Sequence, residues 1–341
     1  VAAQALTGRP PPCETELSRT TAQAFYRRAS TESLENMDQK IGFGLFSPQA
    51  GLSFKALAER ATTIERLGYH SMWLVDHFWN RGVPDADVLE CTTAMSALCA
   101  RTEKLRVGSL VLCNSFRNPG MLAKVLASID NISDGRVEIG LGAGWMDEEY
   151  RAYGYEFPSM GARLRQLEEG VQILKAMLSA KQASFKGRYY EVTDAYNNPQ
   201  PVQKPHPPLT IGGSGEKVML RIVAKYADRW NCPAGYRSFE QKFDALKQHC
   251  AAVGRDIKSI NISEQLLVCI GANDAEVETR WKISQRLPFW RTAIKGTPPQ
   301  VVEQLRDRLK KGIEYFTIIF GDLNSPQSIE LFAREVMPAF A

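Results

Sequence analysis

The sequence predicts an α/β chain closed into a (β/α)8 barrel, a TIM barrel of eight parallel strands, with an insertion. Three observations carry this. Apolar runs such as SLVLC (109–113), VEIGLG (137–142) and FTIIF (316–320) are continuous, as strands covered on both faces must be. Segments with a helical apolar period separate them. The strand-then-helix spacing recurs eight times, and a length of 341 residues suits one large barrel or two medium domains.

Taken in order, IGFGLF (41–46) reads as the first strand, and a helix over 55–67 follows, with Leu57, Ala61, Ile64 and Leu67 at three- and four-residue spacing and Gly68 at its end. SMWLV (71–75) is the second strand, followed by a helix over 88–100. LRVGSLVL (105–112) leads to a helix over 120–132, with Leu122, Val125, Leu126 and Ile129 on one side. VEIGLGAG (137–144) precedes a strong helix over 163–178, and FKGRYYEVTDA (185–195) reads as an inserted hairpin. PPLTIGG (207–213), a helix over 216–226 and a short strand over 229–232 come next, the last without a clear propensity run. Helix 239–253, strand 260–270, helices near 275–282 and 299–310, strand YFTIIF (315–320) and a helix from Pro326 complete the pattern. Residues 1–36, with Arg9-Pro-Pro-Pro12 and no sustained period, read as a flexible extension with a short helix near 22–29; the barrel domain spans 37–341.

Composition narrows the function. A formal net charge of +4, from 42 Lys+Arg against 38 Asp+Glu without a long basic block, offers little to nucleic acid. No apolar run is long enough for a membrane span, and the N-terminus lacks a secretory pattern, so a cytoplasmic protein is expected. Seven scattered cysteines without a CxxC pair read as buried small residues, and four histidines without ligand spacing predict no metal site.

In a parallel barrel the residues leaving the C-terminal ends of the strands line one mouth. Those positions are Asp76 and His77, Cys113 and Asn114, Gly142, Gly144 and Trp145, Gly212, Gly213 and Ser214, Trp230 and Asn231, Glu264, and Gly321 with Asp322. His77 is the candidate for polar contact and proton relay, with Asp76 as the carboxylate that orients it and Asn114 orienting ring or substrate. Trp79 and Trp145 shape the pocket; Trp79 equally suits packing on a neighbour. GLGAGW (140–145) is a poor dinucleotide fingerprint, since it falls in the fourth unit with Gly140 inside the strand; its glycines suit a flat ring lying against backbone. IGGSGEK (211–217) is the better phosphate signal, with Lys217 and Arg221 nearby, although Ser214 equally suits a plain helix cap. Cys113 has no base near it in sequence, and Asp147, Glu148 and Glu149 read as the acidic first turn of a helix.

The set DHF (76–78), SFRNPGMLAK (115–124), SIDNISDGR (128–136), IGLGAGWMDEEYRAYG (139–154) and LTIGGSGEK (209–217) resembles the bacterial luciferase-like oxidoreductase superfamily, from about Ile41 to the C-terminus. The closer likeness is to its branch dependent on the deazaflavin coenzyme F420. The resemblance implies F420, or alternatively FMN, with its ring near His77 and the glycines and its phosphate near Gly213 and Ser214. It also implies a non-proline cis peptide near Leu110-Val111 behind the ring. The reaction it implies is hydride transfer to or from a small organic substrate; the alternative is an FMN-dependent two-component monooxygenase supplied by a separate reductase. A homodimer is expected. One departure stands out: the branch's sugar-phosphate dehydrogenases carry a proton-transferring glutamate after the fourth-strand glycines, where this chain has Trp145.

Overall fold

The strands alternate in which side they present, and that alternation builds the molecule. In the computed structural model, which describes residues 41–233, 239–287 and 292–341, the odd-even register sends Phe43, Leu45, Met72, Leu74, Ile139, Leu141, Ile211 and Ile318 outward into one large core with the helices. The opposite set faces the barrel axis, where Phe46, Trp73 and Tyr315 form a separate small cluster. The expectations for residues 1–36, including the short helix, lie outside the described residues.

Eight positions close the barrel, all paired in parallel: β1 (Gly42–Phe46), β2 (Ser71–Leu74), β3 (Arg106–Ser109) continued by β4 (Leu112–Cys113), β5 (Val137–Gly142), β8 (Leu209–Gly212), β9 (Arg229–Cys232), β10 (Asn261–Ile270) and β12 (Tyr315–Phe320). β12 returns to β1, with Gly42 opposite Tyr315 and Leu45 opposite Ile318. The inserted hairpin is β6 (Gln182–Lys186) with β7 (Glu191–Tyr196), antiparallel as expected. One strand escaped the sequence reading: β11 (Ile294–Gly296) pairs with the last three residues of β10 beyond the barrel wall. A three-residue strand leaves too short a run to register against its neighbours.

Helix boundaries follow local chemistry. Helix α1 (Phe54–Arg66) is capped by Ser53, whose hydroxyl accepts from the amide of Ala56, and buries Leu57, Ala58, Ala61 and Ile64. Helices α2 (Cys91–Arg101) and α3 (Pro119–Ile132) follow the second and third units. α3 starts one residue before the expected Gly120, because Pro119 sits where no amide is needed and Asn118 caps it. The expected acidic turn is helix α4 (Asp147–Ala152), preceding α5 (Met160–Ser179). The described cysteines are free and buried, matching the expectation for six of the seven. Among the described residues no helix is long and apolar enough to cross a membrane, and no group of three potential ligands could hold a metal ion.

The floor of the barrel is charged. Glu138 accepts from Arg106 Nε at 2.5 Å and from Arg229 Nη1 at 3.0 Å, so both of its oxygens are matched. Burial alone would raise its pKa, but the two guanidinium groups hold it down to about 2. Above the same cluster the Tyr315 hydroxyl bonds with Ser71, His70 and Trp73, and Arg229 lies over its ring at 4.3 Å. His70 is pushed down to about 4, chiefly by burial.

Candidate active site at the barrel mouth

β3 and β4 are separated by a cis peptide between Leu110 and Val111, in the position the resemblance implies. Leu110 packs on the small axial cluster and Val111 projects toward the strands beside it, so the two partly exposed side chains form an apolar step below the mouth. The fourth- and fifth-unit glycines make room for this step. A Cβ on Gly142 would stand 2.5 Å from Val111 Cγ2, one on Gly212 would stand 2.9 Å from Val111 Cγ1, and one on Gly140 would overlap the carbonyl oxygen of Ser109. The expectation that these glycines bare the backbone to a flat ring is corrected here: they admit Val111, and Val111 with Leu110 is what faces the opening. Gly144 has φ of 76°, and a Cβ there would overlap the Tyr150 hydroxyl and approach Cys113 Sγ at 2.8 Å.

His77 leaves the end of β2 and its Nδ1 lies 2.8 Å from Glu149 Oε2. The other oxygen of Glu149 accepts from the amide of Phe78 at 2.7 Å. The orienting carboxylate is therefore Glu149, reached from 72 residues downstream, and not Asp76. Asp76 is held elsewhere: Arg117 grips it bidentately at 2.7 and 2.8 Å, and the amide of Cys113 donates to it at 2.8 Å. This pair ties the end of β2 to the turn that starts α3. Asn114, expected to face ring or substrate, turns away from the opening, donating to the Tyr190 hydroxyl of the hairpin and packing against Gly170 of α5.

Trp145 stands at the rim, 59% exposed, with its ring edge-on to His77 at 5.6 Å. Trp79 stacks on Tyr153 at 5.9 Å, and Phe78 packs on Tyr153 and Phe116 at 4.2 and 4.4 Å. Cys113 bonds with the Tyr150 hydroxyl at 3.1 Å, and burial pushes its thiol up to about 11, which disfavours a nucleophilic thiolate.

On the opposite arc, β8 ends in Gly212, Gly213 and Ser214. Helix α6 (Met219–Tyr226) begins three residues later than expected, with no side-chain cap, so Ser214 is not its cap. Gly213, at φ of 138°, is pinned by Trp230 Nε1 donating to its carbonyl at 2.7 Å. Ser214 is 7% exposed, and its hydroxyl makes no hydrogen bond with a described residue. Lys217 pairs with no described residue, whereas Arg221 is engaged by Glu168 at 3.3 Å.

Two expected mouth residues, Trp230 and Glu264, are corrected by strand parity. Trp230, Cys232 and Glu264 share the outward side, where Trp230 stacks on Phe239 and Glu264 pairs with Arg308 at 2.9 Å. Asn231 faces inward and donates to Ser263 Oγ at 3.1 Å. Asp322 staples its own loop by accepting from Ser325 and Ser328 hydroxyls at 2.6 and 2.7 Å.

An eight-stranded parallel barrel whose mouth joins a carboxylate-held histidine, an apolar step and a glycine-serine turn defines a barrel enzyme. The luciferase-like monooxygenase family matches residues 41–315, and the chain belongs to it. It is 32% identical to an F420-dependent glucose-6-phosphate dehydrogenase of Amycolatopsis mediterranei, over 88% of this chain and 98% of that protein. It is 27% identical to an FMNH(2)-dependent dimethylsulfone monooxygenase of Pseudomonas putida, over 73% of this chain and 78% of that protein. Among solved structures, an F420-dependent secondary alcohol dehydrogenase superposes with a TM-score of 0.75 at 20% identity, covering 89% of this chain and 99% of that one, a likeness of fold. The chain is a luciferase-like oxidoreductase of the flavin and deazaflavin kind.

Proposed function

We propose that the protein is an F420-dependent oxidoreductase that moves a hydride to or from a small organic substrate. The single observation carrying a cofactor at this mouth is Ser214, a residue 7% exposed at the end of β8 whose hydroxyl bonds with no described residue, beside Lys217. Such a group suits a phosphate oxygen, because a hydroxyl with no partner among the described residues keeps its proton to donate. The relative at 32% identity along nearly the whole barrel favours the deazaflavin over FMN.

Gly213, Ser214 and Lys217 would hold the phosphate, and Leu110 and Val111 would support the ring. When bound, the deazaflavin supplies a hydride acceptor or donor. The remaining work is the chain's own. His77 gives or takes a proton at the nitrogen not engaged by Glu149, Trp145 covers the reacting centre, and the aromatic cluster around Phe78 and Phe116 keeps the His77 loop in place. Because Trp145 stands where the branch's sugar-phosphate dehydrogenases carry a glutamate, the substrate is proposed to be other than a sugar phosphate.

Titration of F420 and of FMN into the protein under matched conditions, read by fluorescence, tests the cofactor. The reading predicts tighter binding of F420, and little oxygen uptake when reduced cofactor is supplied. Tighter FMN binding with rapid oxygen uptake overturns it in favour of the two-component monooxygenase.

A further inference from the structure

The inward side chains change character along the barrel axis. At the floor Glu138 is matched by Arg106 and Arg229. The next inward groups on β9 and β10 are also matched: Asn231 donates to Ser263 Oγ at 3.1 Å, and Ser263 donates to the Trp230 carbonyl at 3.0 Å. One inward step closer to the mouth stand Gln265 on β10 and Thr317 on β12, which are register partners. Their neighbours Leu266, Phe316 and Ile318 belong to the core shared with the helices, so strand parity sends Gln265 and Thr317 to the axis. Gln265 is 9% exposed and Thr317 1%, and neither side chain makes a hydrogen bond with a described residue. Branched apolar side chains ordinarily fill a barrel at these positions, and buried polar groups are almost always matched.

The strand order places this pair. β10 lies directly across the barrel from β3, four strands away in either direction, and β3 ends at the Leu110–Val111 step. A ring supported by the step therefore turns its other face toward Gln265. Above the floor no inward position of the described strands carries a charge, so a carboxylate or phosphate would meet no counter-ion there. Phe46, Leu110 and Ile319, gathered on the axis, supply apolar surface beside the two polar groups. A carboxamide both donates and accepts, and so does a hydroxyl. We propose that Gln265 and Thr317 form a neutral polar subsite that anchors the substrate, and that it takes an uncharged, largely apolar molecule carrying an amide or hydroxyl group. The inference rests on the proposed function only in calling the occupant the substrate.

The test titrates benzamide, toluene and benzoate into the full chain without cofactor, followed by ligand-observed NMR, for the wild type, Gln265→Met and Thr317→Val. Both replacements keep the size of the side chain and remove its strong hydrogen-bonding groups. The wild type is expected to bind benzamide most tightly and benzoate most weakly. Gln265→Met is expected to weaken benzamide about tenfold and to leave toluene within about twofold, the worth of about one hydrogen bond. Thr317→Val is expected to weaken benzamide about threefold, and it carries the test where the methionine variant does not fold. F420 is expected to bind both variants as it binds the wild type. Benzamide held no better than toluene, or an affinity for benzamide that neither variant alters, overturns the proposal, because the two side chains then bond with water only. Benzoate bound as tightly as benzamide overturns the neutral class, and a matching loss of F420 affinity in Gln265→Met overturns the substrate assignment. Selective benzamide binding in a protein that binds no F420 keeps the subsite and removes the proposed function alone.

Discussion

The floor and the mouth of this barrel use similar residues to opposite ends. At the floor Glu138, Arg106, Arg229, His70 and Tyr315 are closed on one another, with both carboxylate oxygens matched. At the mouth Glu149 and Asp76 are likewise buried and matched, yet His77, held by Glu149, keeps one nitrogen without a partner among the described residues, and Ser214 across the opening keeps its hydroxyl. A buried charge is therefore no guide to chemistry by itself. What marks the functional end is a fixed group with an unmatched atom facing the opening.

Four substitutions or conditions sharpen this contrast. The largest effect is expected for Glu138→Ala, which strands Arg106 and Arg229 in the barrel; denaturant unfolding should show a loss of about 3–5 kcal/mol. If stability is unchanged, the floor is not the structural element described. Next comes pH. Both floor groups have native pKa values below their ordinary ones, so each contributes stability above its ordinary pKa and loses it as pH falls through the native value. His70 loses its share between 6.5 and about 4, and Glu138 between 4.5 and about 2. Thermal unfolding followed across that range should fall in two stages, and the lower stage should be absent in Glu138→Gln.

A smaller loss, about 1–3 kcal/mol, is expected for Gly140→Ala, because the new methyl overlaps the Ser109 carbonyl oxygen and must displace strand or step. Calorimetry measures it. The smallest effect on folding is expected at the mouth. Ser214→Ala breaks no hydrogen bond with a described residue, so unfolding should shift by under about 0.5 kcal/mol while cofactor affinity falls roughly tenfold, the worth of about one hydrogen bond. An affinity unchanged beside an unchanged stability would make the mouth as inert as the floor.

The barrel was legible because burial on both faces writes continuous apolar runs, and the hairpin because a turn separates two β-rich segments. The arrangement of the site was less so. Strand parity could have excluded Glu264, which shares its side with the apolar Ile262, Leu266 and Val268. The partner of His77 could not be picked out: three adjacent acids look alike until the fold turns Glu149 inward across 72 residues. The same distance problem hid the Asp76–Arg117 pair, where adjacency to His77 suggested the wrong partner. The glycines misled because sequence shows that room exists, not that Val111 fills it.

The most direct test of the open mouth is a fluorescence titration of F420 into the wild-type protein and Ser214→Asp, side by side. Saturable binding by the wild type, weakened at least tenfold by the added carboxylate through repulsion of the phosphate, is the predicted result. Equal affinity in the two proteins, with both folded, would contradict the assignment of the phosphate to this turn and with it the cofactor's place in the barrel.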